Sequence, residues 1–215
     1  MIQRKPRSAP VSLDDESLLR AVRLLARRDP DLGHVVRRFG APPMWAREAG
    51  FSTLLHIILE QQVSLASARA AHNKLLAAAS PLTPRCFLDL DDATLKAVGF
   101  SRQKTGYGRH LAQSLVEGKL DLHALHTMSD DEVRSELIRI KGIGQWTADV
   151  YLLMVLRRPD IWPTGDLALA VAAQSVKRLK SRPSPERLEQ LGRAWRPWRA
   201  VAARILWHHY LSELV

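Results

Sequence analysis

The chain has 215 residues, 46% of them hydrophobic, and Lys and Arg outnumber Asp and Glu by 32 to 22, which gives a net charge of +10. This composition supports a buried core in one domain or two lobes, and the charge favours a polyanionic partner, either nucleic acid or an acidic membrane surface. The single cysteine, Cys86, excludes an internal disulfide and a four-cysteine iron–sulfur cluster.

Neither a membrane span nor a secretory signal is predicted. No stretch approaches the roughly 18 consecutive apolar residues that a membrane-spanning helix needs. The opening segment, MIQRKPRSAP, is basic and is followed by no apolar stretch. We therefore expect residues 1–11 to form a basic flexible tail on an intracellular protein, which would be cytoplasmic in a bacterium and nuclear in a eukaryote.

Helix-forming segments and helix-ending residues alternate along the chain. Predicted N-cap residues are Ser12, Ser64, Ser101 and Ser129. The first helix is predicted to begin at Ser12, and others to cover 32–39, 51–79 (with a break near 60–64), 91–98 and 101–117. A helical hairpin is predicted within 129–156. Further helices are predicted over 167–179, over 185–195 and from Pro197. The segment between Pro81 and Pro84 is predicted to be a linker. No segment alternates convincingly as a strand does, so we predict an all-α protein.

The turn Lys141-Gly142-Ile143-Gly144 joins the two hairpin helices. Its glycines allow positive φ, and the helix that starts at Gln145 has first N–H groups with no internal partner. Such a helix terminus binds anions, and a DNA phosphate is the anion that suits a basic chain. The alternative is an ordinary helix connection, because glycine commonly ends helices.

Two further polar features interrupt apolar helices. Asp166 lies in a Pro-Thr-Gly-Asp loop before an apolar helix, where a carboxylate is often only an N-cap. The break at Gln61 and Gln62 places two amides between apolar helices, and a solvated corner is the simpler interpretation. The basic residues Arg102, Lys104, Arg109 and His110 follow in a later helix, where they form either a solvated face or phosphate contacts.

The order of these features resembles the helix–hairpin–helix (HhH-GPD) superfamily of base-excision DNA glycosylases, closest to 3-methyladenine DNA glycosylase II. The stretches that carry the resemblance are IILEQQVSLASARAA, IKGIGQWTADVYLLMVLRRPDIWPTGDLAL and AWRPWRAVAARILWHH. The resemblance implies a two-lobed helical bundle over residues 12–215, with a DNA cleft between the lobes. It places the hairpin at about 129–156 and a catalytic loop at about 160–168, with no extra N-terminal domain.

The resemblance also assigns roles to Asp166, Trp146 and Trp207. Breaking an N-glycosidic bond develops positive charge on the deoxyribose, which the Asp166 carboxylate would stabilise. Trp146 and Trp207 would wall a base pocket, where an indole face attracts a cationic methylated purine. Bifunctional members carry a lysine nucleophile at the position of Trp146, so a monofunctional enzyme that leaves an abasic site is expected.

DNA contacts follow from the same resemblance. Gln62, with Gln61 beside it, would fill the gap that the flipped base leaves in the duplex. The family member that this chain most resembles carries leucine at this position. Lys141, Gly142, Ile143 and Gly144 would hold a phosphate. A monovalent cation, Na⁺ or K⁺, is implied at the backbone carbonyls of Ile138, Ile140 and Ile143, and no side-chain metal site is expected. In 3-methyladenine DNA glycosylase II, the family member that this chain most resembles, an aromatic residue directly follows the catalytic aspartate. This chain has Leu167 at that position.

These observations leave three functions open. The preferred one is removal of alkylated purines, 3-methyladenine and 7-methylguanine, from double-stranded DNA by a monomer. A related glycosylase could instead act on deaminated, oxidised or mismatched bases. A non-catalytic helix–hairpin–helix module would bind DNA through phosphates and would need neither Asp166 nor the Trp146/Trp207 pair.

Overall fold

The computed structural model describes residues 10–213, and within them it contains α-helices, one short 3₁₀ turn and no strand. The helices are α1 (Asp15–Arg28), α2 (Pro30–Phe39), α3 (Phe51–Glu60), α4 (Leu65–Ala78), α5 (Pro84–Asp89), α6 (Asp92–Ala97), α7 (Arg102–Val116), α8 (Asp130–Ile138), α9 (Gln145–Met154), α10 (Leu167–Val176), α11 (Pro185–Arg193) and α12 (Arg199–Glu213). The prediction of an all-α protein is confirmed. Residues 1–9 of the predicted tail lie outside the described residues.

Side-chain caps set most helix beginnings. Ser64, Ser101 and Ser129 accept from amides of the first turn, as predicted. The prediction that Ser12 caps α1 is wrong, because the N-cap is Asp14. Asp14 forms the capping box with Ser17, while the Ser12 hydroxyl donates to Leu156 O at 2.9 Å.

The structure corrects two further boundaries. The predicted linker at 81–84 leads directly into α5, because Thr83 caps this short helix by accepting from Cys86 N at 3.1 Å. The last helix begins at Arg199 rather than Pro197. Asp160 accepts from both the Arg199 amide (3.3 Å) and its guanidinium Nε (2.9 Å), which fixes the helix start there.

The helices pack as two groups. α1 and α2 contact α12, and α12 contacts α10 and α11, so both ends of the chain share one lobe. The middle of the chain forms the other lobe, in which α3 packs against α4, α7 and α9 and α8 pairs with α9. This is the two-lobed arrangement expected from the sequence. No helix in residues 10–213 is long and apolar enough to cross a membrane.

Arg204 of α12 connects the lobes. Its side chain is fully buried, and its guanidinium donates to Met44 O (2.9 Å), Ala200 O (3.1 Å) and Leu153 O (2.7 Å). Burial lowers the pKa of this guanidinium to about 10. Leu153 lies in the last turn of α9, where helix carbonyls lack internal partners and favour a positive charge. Arg204 therefore sets where α12 lies relative to α9.

Candidate active site

The carboxylate of Asp166 is the centre of the site. Oδ1 accepts from Leu169 N at 2.7 Å and from Trp207 Nε1 at 3.0 Å, and Oδ2 accepts from Trp146 Nε1 at 2.8 Å. Asp166 is thus the N-cap of α10 and also the acceptor for two indoles. An ionised carboxylate only accepts hydrogen bonds and offers about four lone-pair sites, so these three donors suit the ionised form and leave one site for another group.

Three helices from both lobes meet at this carboxylate. Asp166 precedes α10, Trp207 lies in α12 and Trp146 lies in the first turn of α9. Trp207 is buried, at 7% exposure, whereas Trp146 is only partly buried. The structure brings together Asp166, Trp146 and Trp207, the three residues to which the resemblance assigned roles. It also shows a contact that the sequence did not predict, because both indole N–H groups donate to the carboxylate. Their role as walls of a base pocket stays a prediction.

Hydrogen bonds hold the loop before Asp166 in place. Asp166 N donates to Pro163 O at 3.0 Å, and Thr164 N donates to Trp162 O at 3.0 Å. The buried Trp162 anchors the loop through its indole N–H, which donates to Leu188 O at 3.0 Å in α11. Trp195 is 1% exposed, and its indole N–H donates to Asp29 Oδ2 at 2.8 Å.

The hairpin turn has one glycine that the fold requires. Gly142 has φ +96°, and a Cβ there would lie 2.2 Å from Tyr107 Cγ. The Tyr107 ring of α7 therefore supports the turn, and only glycine fits against it. Ile143 is buried at 3% exposure, and Lys141 projects into solvent.

Helix α9 begins without a side-chain cap. Its N-cap is Gly144, where an added Cβ would meet no atom within 4 Å. Ala148 N, which donates to Gly144 O at 3.1 Å, closes the first helical turn. The N–H groups of Gln145, Trp146 and Thr147 have no helical acceptor. An exposed, uncapped terminus of this kind has the geometry of an anion site.

The glutamine corner separates into two environments. The Gln61 amide donates to Gly142 O at 2.8 Å and to Thr147 Oγ1 at 2.9 Å, so it is attached to the hairpin. Gln62 is exposed, has φ +58°, and makes no side-chain hydrogen bond within residues 10–213. Of the two candidates for insertion into DNA, Gln62 is the one whose side chain is available.

Two basic residues of α7 have structural partners that the sequence did not reveal. Lys104 Nζ donates to Leu59 O at 2.6 Å, at the end of α3, and burial lowers the pKa of this amine. Arg109 donates to Leu88 O, at 3.2 Å, and to Leu90 O, at 2.8 Å. Neither is a simple solvated charge, because each satisfies carbonyls at a helix end.

The carbonyls implied for a cation lie in the hairpin. Ile140 O already accepts from Ile143 N at 3.0 Å, which leaves its second lone pair. Ile138 is 44% exposed and Ile140 is 5% exposed. No cluster of three or more His, Cys, Asp or Glu residues that could hold a metal ion occurs in the described part of the chain.

Comparison with known proteins connects this geometry to a family. Residues 55–197 match the family described as HhH-GPD superfamily base excision DNA repair protein. The alkylbase DNA glycosidase-like protein mag2 of Schizosaccharomyces pombe is 28% identical over 200 residues, which cover 90% of this chain and 94% of that protein. DNA-3-methyladenine glycosylase 1 of the same yeast is 27% identical, covering 73% of this chain and 71% of that protein. The solved structure of S. pombe 3-methyladenine DNA glycosylase Mag1 in complex with abasic DNA matches with a TM-score of 0.83 at 26% identity, covering 87% of this chain and 95% of that one.

Proposed function

Since this chain belongs to the HhH-GPD superfamily of base excision DNA repair proteins, we propose that it is a DNA glycosylase that releases alkylated purines, such as 3-methyladenine and 7-methylguanine, from double-stranded DNA. The relatives named for 3-methyladenine or alkylated bases support this substrate class. DNA as substrate implies a cytoplasmic location in a bacterium or a nuclear one in a eukaryote. The observation that carries the proposal is the Asp166 carboxylate, which accepts from Trp146, Trp207 and Leu169 N.

The chemistry requires little beyond that carboxylate. The target nucleotide must leave the duplex, because its glycosidic bond is otherwise covered by neighbouring bases. A purine methylated at N3 or N7 is cationic and leaves readily without a general acid. The sugar that remains carries positive charge, which the fixed negative charge of Asp166 stabilises, and the carboxylate's free lone pair can orient the attacking water. One such electrostatic interaction lowers the activation free energy by about 3–4 kcal/mol.

The same site supports a monofunctional reaction. Trp146, at the position of the lysine nucleophile in bifunctional members of the family, uses its N–H to hold Asp166 instead. An indole N–H has no nucleophilic lone pair to attack the deoxyribose. The product is therefore an abasic site in an uncleaved strand.

Phosphate binding at the hairpin completes the proposal. The open N–H groups at the start of α9 and the exposed Lys141 suit a DNA phosphate. A Na⁺ or K⁺ ion held by the carbonyls of Ile138, Ile140 and Ile143 would add positive charge beside it. Replacing K⁺ with a large organic cation at constant ionic strength tests for this ion. If a cation bound at the hairpin contributes, DNA binding should weaken even though screening by salt is unchanged.

Base release from methylated duplex DNA tests the proposal. Wild type should release 3-methyladenine or 7-methylguanine, and Asp166→Asn should lose about 10²–10³ in rate. Because both carboxylate oxygens accept from indoles, either orientation of the Asn amide turns its NH₂ group toward an indole N–H. The matched control is Asp91→Asn at the exposed N-cap of α6, which should keep full activity.

The outcomes separate the alternatives. Equal release by wild type and Asp166→Asn would reject the carboxylate as essential while keeping the enzyme class. Release of deaminated, oxidised or mismatched bases alone would move the enzyme to a different lesion class. DNA binding without release of any base would leave a binding module.

A further inference from the structure

Gln61 occupies a position between the two elements that are proposed to contact DNA. Its side chain leaves the C-terminal end of α3 and reaches the hairpin, and its NH₂ group makes both contacts, with Gly142 O (2.8 Å) and Thr147 Oγ1 (2.9 Å). The carbonyl acceptor fixes the orientation of the amide, because only the nitrogen can donate to it. Both amide protons are therefore used inside the protein, on residues before and after the start of α9.

The same corner is held from two other directions. Lys104 Nζ donates to Leu59 O, and Arg47 makes paired contacts of 3.1 and 2.7 Å with the two carboxylate oxygens of the buried Glu60. Tyr107, one turn after Lys104 in α7, packs beneath Gly142. One helix thus supports both the corner and the hairpin, and Gln61 links them directly.

The next residue is the one that points outward. Gln62 has φ +58°, an unusual conformation for a residue with a side chain, and it is exposed. A conformation of this kind persists where the surroundings fix it. Here the fixed surroundings are the residue on its N-terminal side, Gln61, and the capped start of α4 at Ser64.

We propose that Gln61 is a positioning residue that locks the corner to the hairpin, so that Gln62 enters the duplex at a fixed distance from the phosphate held by α9. This inference rests on the proposed function, which supplies the DNA. It differs from the expectation that Gln61 itself inserts into DNA, because the amide that would contact a base is already bonded to Gly142 and Thr147. Gln61 then acts on base extrusion through Gln62, and it touches neither the base nor the sugar.

Extrusion depends on such a lock for a simple reason. A side chain that inserts while the hairpin holds the DNA backbone must keep its position against the stacking of the neighbouring bases. If the corner can shift relative to the hairpin, insertion partly moves the protein instead of the nucleotide. The loss of the link should therefore weaken extrusion more than it weakens phosphate binding.

The test measures extrusion without chemistry. The probe is a duplex that carries an abasic-site analogue resistant to hydrolysis, with 2-aminopurine beside it, whose fluorescence rises when it unstacks. For Gln61→Met, which keeps the length and removes both donors, we expect about a tenfold loss in the preference for this duplex over undamaged DNA, the size of one or two lost hydrogen bonds. Binding to undamaged duplex should change by less than about threefold, since phosphate contacts dominate it.

A double-mutant cycle tells a link from a direct DNA contact. Thr147 is 1% exposed, so Thr147→Val removes one of the two Gln61 acceptors without altering the protein surface. It should reproduce part of the Gln61→Met effect, and the double variant should be no worse than Gln61→Met alone. Thr147→Ser keeps the hydroxyl and is the matched control, with wild-type extrusion expected.

Three results would overturn the proposal. They are an unchanged preference in Gln61→Met, a strong effect of Gln61→Met with none from Thr147→Val, and additive effects of the two substitutions. The second of these would return Gln61 to the DNA interface. Failure of the proposed function is visible separately, because a wild type that extrudes the nucleotide but releases no base would contradict the glycosylase and leave the Gln61 link intact.

Discussion

At the scale of single residues, Asp166 both caps a helix and accepts hydrogen bonds from two indoles. It caps α10 through Leu169 N, and it accepts from the indoles of Trp146 and Trp207. Capping uses part of one carboxylate oxygen, so it does not compete with a role in stabilising a cationic sugar. The three hydrogen bonds hold the group in one orientation, and electrostatic stabilisation of a transition state depends on such fixed placement.

The two indole contacts can be tested one at a time. Trp146→Phe keeps an aromatic face but removes the donor to Oδ2, so we expect the single-turnover rate of base release to fall about tenfold, the effect of roughly 1.4 kcal/mol on the barrier. Affinity for abasic DNA should change little. A wild-type rate in Trp146→Phe would mean that the indole contributes only its ring.

At the scale of elements, the hairpin depends on its two glycines for different reasons. Gly142 has positive φ and lies against Tyr107, whereas Gly144 has φ −96° and open space around it. The first glycine is required by the protein itself. The second leaves the start of α9 uncovered and accessible from solvent.

Alanine at each glycine should separate these reasons. Gly142→Ala should lower the free energy of unfolding by about 1–3 kcal/mol, because the Tyr107 ring must move and the backbone is strained. Gly144→Ala should leave thermal unfolding unchanged and weaken DNA binding, since its methyl group occupies the approach of a phosphate. Unchanged DNA affinity in Gly144→Ala would contradict the hairpin as the phosphate site.

The pair formed by α3 and α4 carries a pH dependence. His56 and His72 stack with ring centroids 4.3 Å apart, and burial lowers the pKa of His56 to about 4 and also lowers the pKa of His72. Both rings are neutral in the fold, while the unfolded chain binds protons near the ordinary pKa of 6.5. Stability contributed by these groups is therefore complete above pH 6.5 and is lost as the pH falls toward about 4.

Chemical denaturation at pH 7 and pH 5 measures this effect. The wild type should lose more unfolding free energy between these values than the double variant His56→Gln/His72→Gln. Comparing the two proteins removes the contributions of groups elsewhere in the chain that titrate between these pH values. Equal losses in both proteins would show that the histidines do not carry the dependence.

Local patterns predicted the helices better than they predicted the links between helices. Ser64, Ser101 and Ser129 cap where expected, because a cap acts within one turn of its own helix. The short α5 was missed, since its six residues give no periodic pattern. The family resemblance nominated the Asp166 site, but the contacts of Gln61, Lys104 and Arg109 join residues distant in sequence, and no spacing along the chain signals them.

At the scale of the whole molecule, Arg204 and the net charge act on different steps. The charge of +10 draws the chain to DNA, so the logarithm of affinity should fall steeply with the logarithm of salt concentration. Arg204 is buried and cannot contribute to that attraction directly. It instead holds α12 against α9, the helices that carry Trp207 and Trp146.

Replacement of Arg204 should therefore disturb the site from a distance. Arg204→Lys keeps a charge but cannot reach Met44 O, Ala200 O and Leu153 O together, so we expect a loss of about 2–4 kcal/mol in unfolding free energy. Base release should fall as the indoles shift, while the salt dependence of DNA binding keeps its slope. A changed slope with normal stability would place Arg204 at the DNA surface instead.

The convergence of α9, α10 and α12 on one carboxylate also restricts how this enzyme can evolve. Substitution of Asp166, Trp146 or Trp207 disturbs the other two, so none of them can vary freely to admit a new lesion. Leu167, directly after Asp166, is 60% exposed and belongs to none of these contacts. If Asp166 is the catalytic group, selection for a different damaged base would act first on Leu167, because Leu167 can change without disturbing the hydrogen bonds of the carboxylate.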